Sequence, residues 1–405
     1  MPELVIGNVP RGEDYFGQED FIESIWARLK KDNVLLVAPR RFGKTGAMYQ
    51  LFDSPRGDFI PIYLDVEYIT SVSDFMVELI AKLIKKHPLL QFNKTLGKGF
   101  KKLEKLTKIL PGNIDLGAIK VEIREKTDIQ KKWHDYAEQI QSLLTKKNSP
   151  ILLIIDEFPI MMNHILKTNP EEAKQLLYWF RAVRIAPESM TRFVIGGSIN
   201  LVSTLDHNGL VDTINDISPL KLSAFTSDTA KRFIKEIFFS KGISYTEEVG
   251  NVILEMIGEP IPYLLSVFLT AIIDKARISK HDITIQSVKE AFEDDLLGGS
   301  TSAVFLHYHS RLEKYPYYSD TETRAAKAIL GTLSRSDKPV KKDTLYQVFL
   351  KAATLDPGSQ SHEDFGRLMI KLDNDFYLTS KDEKYAFYSK VLRLWWKARY
   401  GWGNY

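Results

Sequence analysis

The stretch that most constrains this chain runs from Asn33 to Leu51. Asn33-Val34-Leu35-Leu36-Val37 is an apolar run of strand length that stops at Ala38-Pro39. Arg40-Arg41-Phe42 leads to Gly43-Lys44-Thr45, and Gly46-Ala47-Met48-Tyr49-Gln50-Leu51 can continue as a helix. A strand, a tight loop and a helix with Gly-Lys-Thr at the junction are built to hold phosphate. A helix N-terminus offers unpaired N–H groups and partial positive charge. Gly43 has no Cβ, so the backbone can come close to the ligand. Lys44 would reach the β- and γ-phosphates, and the Thr45 hydroxyl would ligate Mg²⁺. Glycine usually opens such a loop; here the position is Ala38, which does not take positive φ cheaply. Pro39, Arg40, Arg41, Phe42, Gly43, Lys44, Thr45 and Gly46 are the expected contacts. The alternative is an ordinary strand–turn–helix of a parallel sheet.

A second stretch bears on that choice. Ile151-Leu152-Leu153-Ile154-Ile155 reads as a fully buried strand, and Asp156-Glu157-Phe158-Pro159 follows at its C-terminal end. In an open parallel sheet ligands bind at that end. Asp156 would hold Mg²⁺ directly or through water, and Glu157 would polarise an attacking water. A bare pair of carboxylates after an apolar run is a weak signal; behind a Gly-Lys-Thr loop it becomes specific. Arg192-Phe193-Val194-Ile195-Gly196-Gly197-Ser198 reads as another buried strand. Its Ser198 hydroxyl is placed to meet a γ-phosphate or position water, with Asn200 the alternate.

Phe59 to Val66 and Ile217 to Leu222 supply the remaining strands, giving an α/β fold with five parallel strands flanked by helices. Helices are predicted over Ser71 to Lys86 and Glu171 to Arg184 from their apolar spacing. Arg181 and Arg184 share a face of the second, where surface ion pairing is the expected use. Tyr15-Phe16-Gly17 precedes an amphipathic helix. Phe16 and Gly17 either contact an adenine ring or form a buried aromatic helix start.

Lys82 to Lys132 carries fourteen Lys or Arg against five Asp or Glu. Its alternation Ile114 to Ile123 predicts a hairpin or edge strand. As an insertion at about 88–130 it would be a contact surface for nucleic acid or an acidic partner or, as the favoured reading, a solvated helical surface. Thr226 to about Ser310 is helical in pattern. It is broken at Gly258-Glu259-Pro260-Ile261-Pro262-Tyr263, a rigid turn whose helix start at Pro262 could touch a nucleotide. From Tyr318 on, three helices and a hairpin (Phe376 to Tyr388) make a winged helix, with Ser361 to Asp364 predicted to cap its third helix. The predicted domains are 1–225, 226–315 and 318–405.

With 405 residues, more than one core is expected. There is no cysteine, which excludes disulfides, cysteine-bound zinc and thiol catalysis. The net charge of +3 does not by itself call for nucleic acid. No leader-like N-terminus and no apolar run near twenty residues is visible, so a cytoplasmic protein without membrane spans is expected.

These residues resemble the archaeal-type P-loop ATPases of the AAA+/STAND group. The resemblance rests on Ala38 to Thr45, Ile151 to Pro159, Gly196-Gly197-Ser198, Gly258 to Tyr263 and the winged-helix tail. The double arginine and aromatic before Gly-Lys-Thr carry it most specifically. It implies ATP and Mg²⁺ as ligands, a helical lid over the nucleotide, and slow hydrolysis coupled to a domain rearrangement. The Pro-Ile-Pro-Tyr turn stands where ring-forming relatives carry a sensor arginine. No arginine lies between Ser198 and Lys221 to serve as a finger, which would be worth about 10³ to 10⁵ in rate.

Three functions follow as expectations. The first is a Mg²⁺-dependent ATPase acting as a conformational switch, its winged helix docking a partner protein or DNA, with a homo-oligomer possible. The second is an ATP-regulated DNA-binding protein akin to replication initiators or transposition helpers. The third is a nucleotide-binding scaffold without hydrolysis, against which Asp156 and Glu157 both argue.

Overall fold

The computed structural model describes residues 1–39, 41–86, 116–145, 150–187, 189–197, 201–206, 208–279, 282–298, 302–314 and 318–401. The basic stretch 94–102, Arg40, Ser198 and Asn200 lie outside the described residues.

Contacts divide the chain into two units, one comprising Gln18–Ala38 and Lys44–Leu222. In this first unit the elements run α1 (Glu19–Leu29), β1 (Asn33–Val37), α2 (Lys44–Asp53), β2 (Ile60–Asp65), α3 (Val72–Lys85), α4 (Leu116–Lys126) and α5 (Ile129–Leu144). They continue with β3 (Ile151–Asp156), α6 (Phe158–Thr168), α7 (Pro170–Arg184), β4 (Arg192–Gly196), α8 (Leu201–Asp206) and β5 (Ile217–Lys221). The five strands pair in parallel in the order β2-β3-β4-β1-β5. β3 is buried along its whole length, and β1 over all but its last residue. That is why both read as unbroken apolar runs. Parallel pairing puts the chain's exits from β1, β3 and β4 along one edge of the sheet. Ala38, the Asp156-Glu157 pair and Gly197 are thereby gathered at that edge.

Aromatic packing fixes where the carboxylate strand turns into its helix. The Phe180 ring meets Phe158 edge-on at 5.2 Å and also packs on Phe75 and Phe193. All four are buried. Phe158 opens α6, so this cluster holds the residue just after Glu157. α6 itself was not anticipated from the sequence.

Two expectations are corrected in this unit. The alternating stretch before Ile123 forms helix α4 rather than a strand, because Ile119 and Ile123 recur at helical spacing and are buried against α3. Its Lys120 pairs with the buried Glu78 of α3, and its Arg124 with Asp74, so part of the basic excess is neutralised internally. Arg184 is not a surface residue. Its side chain is 1% exposed and grips Asp216 through two bonds of 2.7 and 2.9 Å and the Thr213 carbonyl at 2.5 Å. Arg181 lies 3.9 Å from Asp212.

The second unit comprises Met1–Gly17, Pro39–Gly43 and Ser223–Tyr405. It holds α9 (Ser227–Ser240), α10 (Glu247–Ile257), α11 (Pro262–Ser279), α12 (Ile285–Glu290), a π-helical turn (Ala291–Leu297) and α13 (Ser302–Lys314). Then follow α14 (Asp320–Arg335), β6 (Val340–Lys341), α15 (Lys342–Ala353), α16 (Ser359–Asn374), β7 (Leu378–Lys381), β8 (Lys384–Phe387) and α17 (Lys390–Tyr400). Thr226 and Thr246 cap α9 and α10 by accepting backbone N–H bonds, and Pro262 occupies the first turn of α11. α14, α15 and α16 with the sheet β6-β8-β7 form the winged helix. Ser361 does not precede α16 as its cap. It lies in the first turn, and its hydroxyl accepts the Gly358 N–H at 2.9 Å. α17 buries Trp395 and Trp396 and packs on α14.

Breaking a buried ion pair by removing one partner costs about 3 to 5 kcal/mol. Arg184→Met is therefore expected to lower stability by about 3 kcal/mol in urea unfolding. A loss within about 0.5 kcal/mol, the usual range of surface changes, would restore the surface reading.

Candidate active site

Four side chains of the first unit meet beyond the sheet's C-terminal edge. Lys44 opens α2, is 6% exposed, and donates from Nζ to the Ala38 carbonyl at 2.5 Å. The ammonium is thus folded back along its own loop. Thr45 Oγ1 donates to Asp156 Oδ2 at 2.7 Å. Tyr63 on β2 donates its hydroxyl to the same oxygen at 3.2 Å. The other oxygen, Asp156 Oδ1, accepts the Glu157 N–H at 3.0 Å. Gly46 is buried in the first turn of α2.

Asp156 is 3% exposed, and its pKa is pushed up to about 6 from an ordinary 3.8. Burial is the main cause, Glu157 and Asp65 add to it, and the Thr45 hydrogen bond and Lys44 oppose it. Asp65 is the β2 residue in register with Asp156. Burial, with Asp156 beside it, holds the Tyr63 phenol protonated far above its ordinary range, so it remains a donor. The carboxylate is therefore short of positive charge.

Glu157 sits in the left-handed region, at φ 57° and ψ 28°, as the residue that turns β3 into α6. A non-glycine residue there is strained, and such strain concentrates at functional sites. Beside it, a Cβ on Gly197 would meet Pro159 Cδ at 2.5 Å and Glu157 Oε2 at 3.2 Å. Only glycine fits at that approach. Tyr63 was not singled out from the sequence, and Gly197 entered only as part of Gly196-Gly197-Ser198, with no role of its own. The double glycine ending β4 was the available signal for the second, whereas nothing local marks Tyr63.

The chemistry of the donors suits Mg²⁺. A hard cation takes oxygen ligands and commonly uses one or two carboxylates plus substrate phosphates rather than an all-protein cage. Thr45 and Asp156 offer one hydroxyl and one buried carboxylate with a charge deficit. Among the described residues, no group of three or more His, Cys, Asp or Glu is arranged to hold a metal alone.

The remaining predicted contacts belong to the second unit. Arg41 and Gly43 both have positive φ, 72° and 99°. A Cβ on Gly43 would stand 3.3 Å from the Tyr15 ring. Phe42 is buried, 1% exposed. Phe16 packs on Phe233 of α9 at 5.4 Å with the Arg232 guanidinium 5.0 Å over its ring. Gly17, at φ 71°, approaches Thr229 so closely that a Cβ would lie 2.4 Å from its methyl. Pro39 begins this segment, and Pro262 begins α11.

Residues 10–204 match the family described as "Predicted AAA-ATPase". The fold is similar to that of a Walker-type ATPase of Pyrococcus abyssi, at 16% identity and a TM-score of 0.63 over 97% of this chain and 99% of that one. It is also similar to the ORC2 protein of Aeropyrum pernix in its ADPNP–ADP complexes, at 12% identity and a TM-score of 0.53 over 95% and 93%. No curated protein matches the chain. The fold is thus the one these ATPases have, and the family match spans the segment that carries both sequence motifs, in line with the resemblance stated from the sequence. No described helix is long and apolar enough to cross a membrane.

Between about pH 4 and 6 the folded protein keeps a proton on Asp156 that the unfolded chain has lost, so stability falls as pH rises through that window. Asp156→Asn removes the penalty. It is expected to raise the melting temperature of the ligand-free protein at pH 8, by a stabilisation of up to about 3 kcal/mol. The gain should shrink toward pH 4, and a variant less stable than wild type at pH 8 would refute the charge deficit.

Proposed function

We propose that the protein binds and hydrolyses ATP with Mg²⁺ and acts as a slow nucleotide-dependent switch. The observation carrying this reading is the hydrogen bond from Thr45 to the buried Asp156, which joins the two motifs read separately in the sequence. Thr45 and Asp156 would hold Mg²⁺, which when bound supplies positive charge to the phosphates. Lys44 would leave the Ala38 carbonyl to neutralise the β- and γ-phosphates. Glu157 would orient the attacking water and accept its proton, and Ser198 is proposed beside the γ-phosphate. Phosphoryl transfer asks for this positioning and charge neutralisation, not covalent chemistry. Arg40 to Gly43 and Gly46 would supply backbone N–H contacts to phosphate, with Pro39, which has no N–H to give, lining the loop, and Phe16, Gly17 and Pro262 proposed near adenine. The functional parts proposed are a core (1–225), a lid (226–315) and a winged helix (318–405), in a cytoplasmic protein.

The winged helix is proposed to dock a partner protein. On α16, Arg367 pairs with Glu363, Lys371 pairs with Glu322, and Ile370 is 62% exposed. That face offers little uncompensated positive charge for a phosphate backbone. One feature favours the second reading, an ATP-regulated DNA binder. Lys341, Lys384 and Lys381 stand directly opposite one another across the three-stranded sheet, all exposed. Like charges so placed are destabilising without an anionic partner.

Lys44→Ala should abolish ATP binding. Glu157→Gln should keep binding and lower turnover by about 10² or more, the usual worth of a positioned base. Turnover equal in wild type and Glu157→Gln, and no higher than in Lys44→Ala, would favour a scaffold without hydrolysis. Turnover raised by duplex DNA, fading with salt and lost in a Lys341→Glu/Lys384→Glu variant, would establish the DNA-regulated reading. Indifference to DNA leaves a protein as the partner.

A further inference from the structure

Phosphate binding does not require an aromatic residue before Gly-Lys-Thr, yet Phe42 is 1% exposed. Its surroundings lie in the second unit and come from the far end of the chain. The Tyr388 ring packs on it at a centroid distance of 5.9 Å, and Phe376 meets Tyr388 edge-on at 5.7 Å. Tyr388 follows β8 and is fixed by its N–H bond to the Tyr377 carbonyl at 3.0 Å. The neighbouring Arg41 lays its guanidinium over the Tyr263 ring at 4.4 Å, and Tyr263 stands in the first turn of α11.

The two tyrosines are themselves tied together. Lys390 at the start of α17 donates its N–H to Glu259 Oε2 at 2.9 Å and its ammonium to the Glu255 carbonyl at 2.6 Å. Gly258, at φ 70°, admits this approach, since a Cβ there would lie 2.7 Å from Lys390 Cβ. Meanwhile Arg41 and Gly43 hold left-handed backbone, a shape that Arg41 does not prefer and that needs support from outside the loop. A cavity of about 20 Å³ is lined by Arg41, Phe42 and Tyr388 together.

We propose that Tyr388 and Tyr263 are positioning residues for the phosphate loop. They grip Phe42 and Arg41, so nucleotide affinity is set in part by the end of the wing hairpin and the start of α11. Neither tyrosine is assigned a contact with the phosphates; each acts through a loop side chain. The aromatic and the second arginine of the motif are then explained as anchors. This inference rests on the reading of the loop as a nucleotide site.

The test is titration of a fluorescent ADP into the full-length protein, with steady-state ATP turnover alongside. Tyr388→Ala and Tyr263→Ala should each weaken ADP binding and raise KM by about tenfold, with kcat held within about twofold because Lys44 and Glu157 are untouched. Tyr388→Phe should bind as wild type, since packing and not the hydroxyl is at work. Hydrogen exchange on wild type provides a check free of folding defects: ADP should slow exchange across 384–392 and 261–266. Wild-type affinity in both alanine variants, or exchange there unchanged by ADP, overturns the positioning role. A wild type that binds no ADP overturns the reading of the site itself, and the positioning role with it.

Discussion

A buried carboxylate that lacks enough positive charge organises the sheet's functional edge. Asp156 receives hydrogen bonds from Thr45, Tyr63 and the Glu157 backbone, and still titrates near 6 because burial and two neighbouring carboxylates outweigh them. Leaving a charge in that condition destabilises the folded chain. The cost makes sense where a cation and an anionic ligand arrive together. The surrounding geometry keeps the group in place: parallel pairing aligns β1, β3 and β4, the Phe180 cluster pins the start of α6, and Gly197 leaves room for Glu157.

Much of this arrangement was legible in the sequence. Two unbroken apolar runs gave β1 and β3, since a strand buried on both faces has no polar alternation to hide it. Gly-Lys-Thr and Asp-Glu marked the loop and the carboxylates through spacing and position. Other features depend on partners far away in sequence. Tyr63 becomes part of the site because β2 pairs with β3, and a tyrosine within an apolar strand carries no signal of that. Arg184 read as a surface cation because its partner Asp216 belongs to another segment. The stretch before Ile123 alternates like a strand, yet Ile119 and Ile123 also share a helix face, and burial against α3 decided between the two periods.

The aromatic preceding Gly-Lys-Thr changes how the loop is understood. Generic phosphate loops gain their shape from glycines; here Arg41 shares the left-handed region with Gly43, and Ala38 replaces the opening glycine. Support comes from rings instead, Tyr15 against Gly43, Tyr388 against Phe42 and Tyr263 beneath Arg41. A loop held from outside can be released from outside. That is the property the proposed nucleotide-dependent switch would need.

The central claim is that Thr45 and Asp156 form half of a Mg²⁺–nucleotide site. Calorimetric titration of ATP into the protein, with and without Mg²⁺, tests it most directly. The account predicts binding at least about tenfold tighter with Mg²⁺, an increment of about 1.4 kcal/mol, that Asp156→Asn largely removes. Equal affinity with and without the metal, or no binding in either case, would contradict it.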